Sequence, residues 1–283
     1  MRPALLLAAC EMFDADPATA LPQALAVELF HNFTLIHDDI MDQAPTRRGQ
    51  ATIHTKWNEP TAILAGDVML VKAYEYLVQA SASHLPALLR LFNETAVQVC
   101  EGQQKDMNFE RKDEVSEEEY LDMIEQKTAV LLAAALQMGA MLAGAGASDG
   151  EHLYRFGLHI GIAFQLQDDW LDTFGNELQT GKQTGGDIIQ NKKTFLWIEA
   201  MNRAESGQKR ELLRWKAAPK ADATQKVRAV KEIFQQLDID RITRTTIDRH
   251  REEALRELAL LQVPEDRKAV LHNLSGLLSR RDY

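Results

Sequence analysis

The chain has 283 residues, 45% of them apolar, which is ample for a continuous hydrophobic core and excludes a disordered protein. Its 42 acidic and 32 basic side chains leave a net charge of −10, which argues against general affinity for nucleic acid; an acidic protein that takes an acidic substrate needs metal or local basic residues. Only two cysteines occur, Cys10 and Cys100, each within an apolar helical pattern, so neither a disulfide framework nor a cysteine metal site is indicated and a reducing, cytoplasmic setting is expected.

Apolar residues recur at helical spacing along nearly the whole chain, and the eight prolines fall mainly where helices would begin or end. Helices are expected near 3–13, 20–43, 60–81, 84–109, 116–146, 149–173, 191–204, 207–216, 222–236, 240–261 and 264–280. The first carries a run of Ala and Leu, but Glu11 and Asp14 interrupt it before a signal-peptide core can form. The second ends in Asp38-Asp39-x-x-Asp42, and an irregular loop is expected at 43–56. The stretch 128–148 approaches the roughly 20 residues of a bilayer span. It is built largely of Ala and Gly, contains Gln137 and continues the charged helical pattern before it, so a buried helix rather than a transmembrane segment is expected. The helix near 149–173 ends in Asp168-Asp169-x-x-Asp172, followed by a second expected loop at 174–191, rich in Gly, Thr and Lys. No linker or repeat of fixed period divides the chain, so the expected fold is all-α, one domain over 1–283 with about ten helices or more.

In both clusters the aspartates stand at i, i+1 and i+4, so the first and third lie one helical turn apart on one face. With 20 aspartates in 283 positions, one such pattern arises by chance in roughly one chain in ten and two in well under one in a hundred. Ordinary solvated charge is a poor account of them. Negative charge belongs at helix N-termini, yet both clusters close long apolar helical segments. Both are also flanked by large apolar residues, Ile36 and Ile40 in one case, Phe164 and Trp170 in the other, which raises the cost of unpaired charge. Carboxylates without cysteine or a close histidine pair suit a hard ion, and Mg2+ in particular is held by a few carboxylates together with substrate phosphate oxygens. The basic residues that would hold such an anion stand near the clusters: Arg47 and Arg48 after the first, Lys182, Lys192 and Lys193 after the second, and Lys127 early in the long helix near 116–146.

Along essentially its whole length the chain resembles the trans-isoprenyl diphosphate synthases of the polyprenyl synthetase family. The matching stretches are Arg2-Pro3, His31 in HNFTLIHDDIMD, Arg47-Arg48-Gly49, Gly66-Asp67, Gly102-Gln103 with Asp106, Lys127-Thr128, FQLQDDWLD and GGDIIQNKKT. The resemblance implies a helical bundle around a central cavity, a homodimer, and condensation of an allylic diphosphate with isopentenyl diphosphate by Mg2+-assisted ionisation. It implies that Asp38, Asp42 and Asp168 hold magnesium on the allylic diphosphate, with Asp39, Asp169, Asp172 and Gln103 close by. Arg47, Lys127 and Lys192 would clamp that diphosphate, with Lys182 as a further substrate-binding residue. Arg2, His31 and Arg48 match positions that bind isopentenyl diphosphate, and Thr128 and Gln165 match groups beside the developing allylic cation. Phe33, with the small Thr34 next to it, matches a position governing product length and implies a short-chain product, geranylgeranyl ahead of farnesyl diphosphate.

One departure stands out. The family pattern reads Gly-Gly-Lys-Arg-x-Arg-Pro, whereas this chain begins at Met1-Arg2-Pro3, so the lysine that also binds isopentenyl diphosphate is missing and an N-terminally shortened form is expected. A terpene cyclase shares the ionisation chemistry but lacks an isopentenyl site, which His31 with Arg48 argues for. A phosphohydrolase built on His37-Asp38 leaves the second cluster unexplained. A catalytically weak prenyltransferase subunit is motivated only by the missing lysine.

Overall fold

The computed structural model describes residues 1–175, 184–219 and 222–280. Its long elements are helices, as the spacing of apolar residues predicts: α1 (Arg2–Met12), α2 (Leu21–Met41), α3 (Ile53–Lys56), α4 (Glu59–Leu77), α5 (Leu85–Arg111), α6 (Glu117–Ile124), α7 (Val130–Leu142), α8 (Ala147–Phe174), α9 (Gly186–Gln190), α10 (Phe195–Arg203), α11 (Ser206–Lys216), α12 (Ala223–Gln236), α13 (Ile239–Ala259) and α14 (Ala269–Arg280). Prolines open α1, α2 and α4 within their first two positions, where the missing N–H costs no hydrogen bond. Among the described residues no helix is long and apolar enough to cross a membrane.

Three local features depart from the expected elements. The loop at 43–56 contains a two-stranded hairpin, Thr46–Arg47 against Gln50–Ala51, closed by Arg48 and Gly49 with φ of 52° and 76°, the type I′ geometry that matches strand twist. The loop at 174–191 contains α9, bounded by Gly185 and Asn191 in the left-handed region. The single helix expected at 116–146 winds as α6, a five-residue π-turn from Glu125 to Ala129, then α7, and stops at Leu142 before Gly144 turns left-handed. Periodicity registers apolar spacing, and a one-residue widening of a helical turn hardly disturbs it.

Contacts group the chain into two compact units. One comprises Met1–Val97, Leu131–Tyr154 and Leu260–Lys268. Here α2 packs along α4 over a core of Leu6, Val27, Phe30, Leu77, Leu88 and Phe92, with Phe92 meeting the rings of Phe30 and Tyr74 edge-on at 5.2 Å. Its share of α7 is buried within the chain, and Gly139 lets the helix touch the backbone of α1, where a Cβ would overlap the Leu6 carbonyl.

The other unit comprises Gln98–Val130, Arg155–Ala259 and Ala269–Tyr283. One of its cores is built from Leu196, Ala200, Leu212, Val230, Phe234 and Ile239. The π-turn is pressed between two glycines: a Cβ at Gly102 of α5 would overlap the Lys127 amide nitrogen, and one at Gly161 of α8 would come within 2.5 Å of the Ala129 Cα. The end of α8 is pinned to α13 by Trp170, whose indole N–H donates to Asp240 at 2.6 Å while the Arg244 guanidinium lies 4.1 Å over its ring.

Candidate active site

In the first unit, α2 carries its aspartates to the last turn, where the Asp42 N–H still donates to the Asp38 carbonyl at 2.8 Å. Asp39 is buried, Asp38 half-buried and Asp42 exposed. The type I′ turn doubles the hairpin back and delivers Arg47 to both inner carboxylates: Nε donates to Asp39 Oδ1 at 2.7 Å and Nη2 to Asp38 Oδ2 at 3.0 Å. One guanidinium fork thus neutralises two acids crowded at the unfavourable end of a helix dipole.

Two turns earlier, His31 accepts from Arg2 Nη1 at 3.0 Å. A guanidinium has no lone pair to offer, so Nε2 carries no proton and the imidazole is an acceptor there. Burial, then the charges of Arg2 and Arg48, push the His31 pKa down to about 3. Arg2 falls to about 10, chiefly through burial, with Glu28 opposing and Arg48 adding to the shift. Arg2 Nε is buried and, among the described residues, has no hydrogen-bond partner. A half-buried guanidinium with a spare donor, repelled by a second cation, calls for an anion.

Phe33 lies between these groups and the aspartates, buried, its ring 5.6 Å from Phe30 and 4.7 Å from the His37 imidazole. Thr34 spends its hydroxyl on the His31 carbonyl at 2.8 Å. His37 in turn leans on α4, where Gly66 supplies the space: any Cβ there would overlap the imidazole.

In the second unit, Asp168 is exposed, Asp172 half-buried and Asp169 buried near the end of α8. Asp169 Oδ2 accepts from the Tyr120 hydroxyl, and Oδ1 accepts from Gln165 Nε2 at 3.1 Å. The Gln165 carbonyl then accepts from the Thr128 hydroxyl at 3.3 Å. Asp172 holds the start of α9, accepting from the Asp187 N–H at 3.0 Å through Oδ2 and from the Gly185 N–H at 2.6 Å through its carbonyl. Lys192 Nζ stands 3.7 Å from Asp187 Oδ1, and Lys127 Nζ donates to Asp106 Oδ2 at 2.6 Å. Gln103 Nε2 is buried without a hydrogen-bond partner among the described residues. Lys193 donates instead to the carbonyls of Phe109 and Glu110, closing the C-terminal end of α5. Lys182 lies outside the described residues.

Negative charge is in excess here. Burial and the charge of Asp187 push the Asp169 pKa up to about 8, against the opposing hydrogen bonds from Tyr120 and Gln165. Burial and Asp172 push Asp187 up to about 6, with Lys192 opposing. Burial and Asp169 hold the Tyr120 phenol well above its ordinary value. Among the described residues no three His, Cys, Asp or Glu side chains are already gathered at metal-ligand spacing. The donor set is nevertheless all carboxylate oxygen, and its raised pKa values mark a site whose charge a hard divalent cation would relieve.

Tyr120 is the contributor that sequence reasoning missed. It sits in Glu-Glu-Glu-Tyr-Leu-Asp, the acidic opening of a helix with a Ser116/Glu119 capping box, where a single aromatic reads as a core anchor. Its spacing seven residues ahead of Lys127 becomes meaningful only once the π-turn is known.

The helical architecture is that of the isoprenoid synthases: a crystal structure of a geranylgeranyl pyrophosphate synthase matches with a TM-score of 0.94 at 41% identity, covering 99% of this chain and 86% of that one. The corresponding synthetase from Pyrococcus horikoshii matches with a TM-score of 0.90 at 31% identity, covering 99% and 84%. The chain belongs to the polyprenyl synthetase family, whose family model, "Polyprenyl synthetase", matches residues 1–237. It is 42% identical over 214 residues to a short chain isoprenyl diphosphate synthase of Methanothermobacter thermautotrophicus, covering 75% of this chain and 66% of that protein. It is 45% identical over 205 residues to a geranylgeranyl diphosphate synthase of Methanosarcina mazei, covering 72% and 63%. A (2E,6E)-farnesyl diphosphate synthase of Mycobacterium tuberculosis is 37% identical over 286 residues, covering 99% and 79%. The chain thus spans slightly under two thirds of the length of the first two relatives.

Proposed function

We propose that the protein is a Mg2+-dependent prenyltransferase that joins an allylic diphosphate head to tail to isopentenyl diphosphate, giving geranylgeranyl or farnesyl diphosphate. The observation that carries this reading is the pairing of two opposite electrostatic needs in one family member: carboxylates whose pKa values are raised by burial and then by one another's charge, and a half-buried Arg2–His31 pair beside the exposed Arg48, short of an anion. The anion group also favours condensation over terpene cyclisation, which has no second diphosphate to hold.

In this reading Arg2, His31 and Arg48 bind the diphosphate of isopentenyl diphosphate, with His31 neutral and orienting the Arg2 fork. Arg47, Lys127 and Lys192 grip the allylic diphosphate, and Lys182 and Gln103 assist. Asp38, Asp42 and Asp168 are the residues that would hold magnesium, with Asp39, Asp169 and Asp172 close by. When bound, the ion supplies Lewis-acid charge to the departing diphosphate. Arg47, which bridges Asp38 and Asp39, is then free to turn to a phosphate oxygen. The oxygens of Thr128 and Gln165 lie beside the allylic cation as the C–O bond breaks, and the isopentenyl double bond attacks it. The proton lost goes to released diphosphate, and the apolar lining keeps water from the cation. Phe33, held edge-on by His37, limits chain length. The same reading has the enzyme working in the cytoplasm as a homodimer.

The test is turnover of labelled isopentenyl diphosphate with dimethylallyl, geranyl and farnesyl diphosphate, with Mg2+ and with EDTA. Metal-dependent products of fifteen or twenty carbons are expected from this reading. Absence of any condensation, or products confined to much longer chains, would overturn it.

A further inference from the structure

The hydrogen bonds around Asp169 assign a role to a residue outside the aspartate motifs. We propose that Tyr120 is a positioning residue that locks Asp169 as a hydrogen-bond hub, and that through this hub it fixes the amide of Gln165 and the hydroxyl of Thr128. The inference rests on the prenyltransferase reading for what those two groups then do.

Donors and acceptors decide the assignment. Tyr120 donates to Asp169 Oδ2 and Gln165 Nε2 donates to Oδ1, so each carboxylate oxygen already has a partner inside the protein. Asp169 is only 5% exposed, whereas Asp168 on the same helix is exposed. Cation binding at this motif is therefore assigned to the exposed Asp168, and Asp169 serves the protein instead. While Asp169 is ionised, the Gln165 amide has one acceptable orientation beside Oδ1, because a flip would set two acceptor oxygens 3.1 Å apart. The carbonyl end then faces Thr128 and takes its proton, which leaves the Thr128 oxygen with lone pairs alone. A hydroxyl so committed offers electron density to a cation and withholds a proton from it.

The framework that makes this lock effective is also visible. The Ser116/Glu119 capping box fixes the start of α6 at Glu117, three residues before Tyr120, and the π-turn places Thr128 eight residues after Tyr120. These two ends of one segment bind Asp169 and Gln165, which are one turn apart on α8. Between them the π-turn backbone is pressed against Gly102 and Gly161, so it has little room to shift if one hydrogen bond is lost.

The experiment compares Tyr120→Phe, Asp169→Asn, their double variant and Asp168→Ala with the unaltered chain. Readouts are kcat, KM for the allylic diphosphate, the Mg2+ concentration for half-maximal rate, and Mn2+ binding in the presence of inorganic diphosphate by electron paramagnetic resonance. Thermal melts identify any variant that fails to fold. The expected result is that Tyr120→Phe and Asp169→Asn each lower kcat about tenfold, with allylic KM, Mg2+ requirement and Mn2+ binding within about twofold of the parent. The double variant should be no slower than Asp169→Asn, since both changes break the same hub. Asp168→Ala should weaken Mn2+ binding by about tenfold or more. Mn2+ binding in Asp169→Asn weakened as much as in Asp168→Ala, unchanged kcat in Tyr120→Phe, or multiplicative losses in the double variant would each overturn the proposal. If the parent chain condenses nothing, the prenyltransferase reading falls by itself, while the Mn2+ titrations still decide whether Asp169 is a hub or a ligand.

Discussion

The two Asp-Asp-x-x-Asp segments share a spelling and a place near the end of a long helix, yet their surroundings differ in kind. At the first, charge is met from outside the helix: the fork of Arg47 closes on Asp38 and Asp39 together. At the second, the buried aspartate receives neutral donors, Tyr120 and Gln165, while burial and then the charge of Asp187 push its pKa up to about 8. The same three-residue pattern can therefore sit on an arginine or on a hydrogen-bond hub. A motif reports which atoms are present; the second layer of side chains decides how they behave.

The most severe way to probe this contrast is to remove the outer aspartates. Asp38→Ala and Asp168→Ala are each expected to lower kcat by about a thousandfold or more, with melting temperatures within a few degrees of the parent. Near-normal turnover in either would strike that motif from the machinery. A smaller effect is expected beside the first motif: Arg48→Ala should raise KM for isopentenyl diphosphate by roughly ten- to a hundredfold while changing allylic KM less than threefold. Equal changes in both constants would show that the basic group does not discriminate the two substrates.

Backbone packing distinguishes the second region further. Gly161→Ala must push a methyl against Ala129, 2.5 Å away, and is expected to cost about 2 kcal/mol in urea unfolding. Gly49→Ala, with open space around it but φ of 76°, should cost roughly 1 kcal/mol, from backbone strain alone.

The pH effects are small per pH unit, and they run in opposite directions for the two regions. His31 titrates near 3 when folded against an ordinary 6.5, so its contribution is complete above the ordinary value and is lost as pH falls toward 3. Asp169 titrates near 8 against an ordinary 3.8, so its contribution is present below the ordinary value and is lost as pH rises through 8, on the order of 1 kcal/mol per pH unit. Melting curves of EDTA-treated protein should therefore flatten on the acid side in His31→Gln and on the alkaline side in Asp169→Asn. A parent melting temperature independent of pH from 4 to 8 would contradict both assignments.

Much of this architecture is legible in the sequence. The long helices come from apolar spacing and prolines, and the aspartates, Arg47, Arg48, Lys127 and Lys192 stand out by type and position. The hairpin that carries Arg47 does not, because two-residue strands leave no alternating pattern; only Arg48-Gly49 hints at a turn with positive φ. The resemblance puts Arg47 on the diphosphate; that it also bridges Asp38 and Asp39 follows from the folded-back turn, which no linear spacing encodes. Tyr120 escapes because its partner lies 49 residues away. Lys193 reads as one of the anion-binding lysines, whereas it closes the end of α5.

The widened turn at Glu125–Ala129 constrains how this protein can vary. Restoring regular winding without shortening the chain would rotate everything ahead of the turn by about 100° relative to the helix beyond it. Tyr120 would then leave Asp169 even though no amino acid in contact had been altered. A homologous chain one position shorter in this stretch could wind regularly and still keep its tyrosine on the buried aspartate, whereas a chain of this length keeps that contact only by keeping the widened turn.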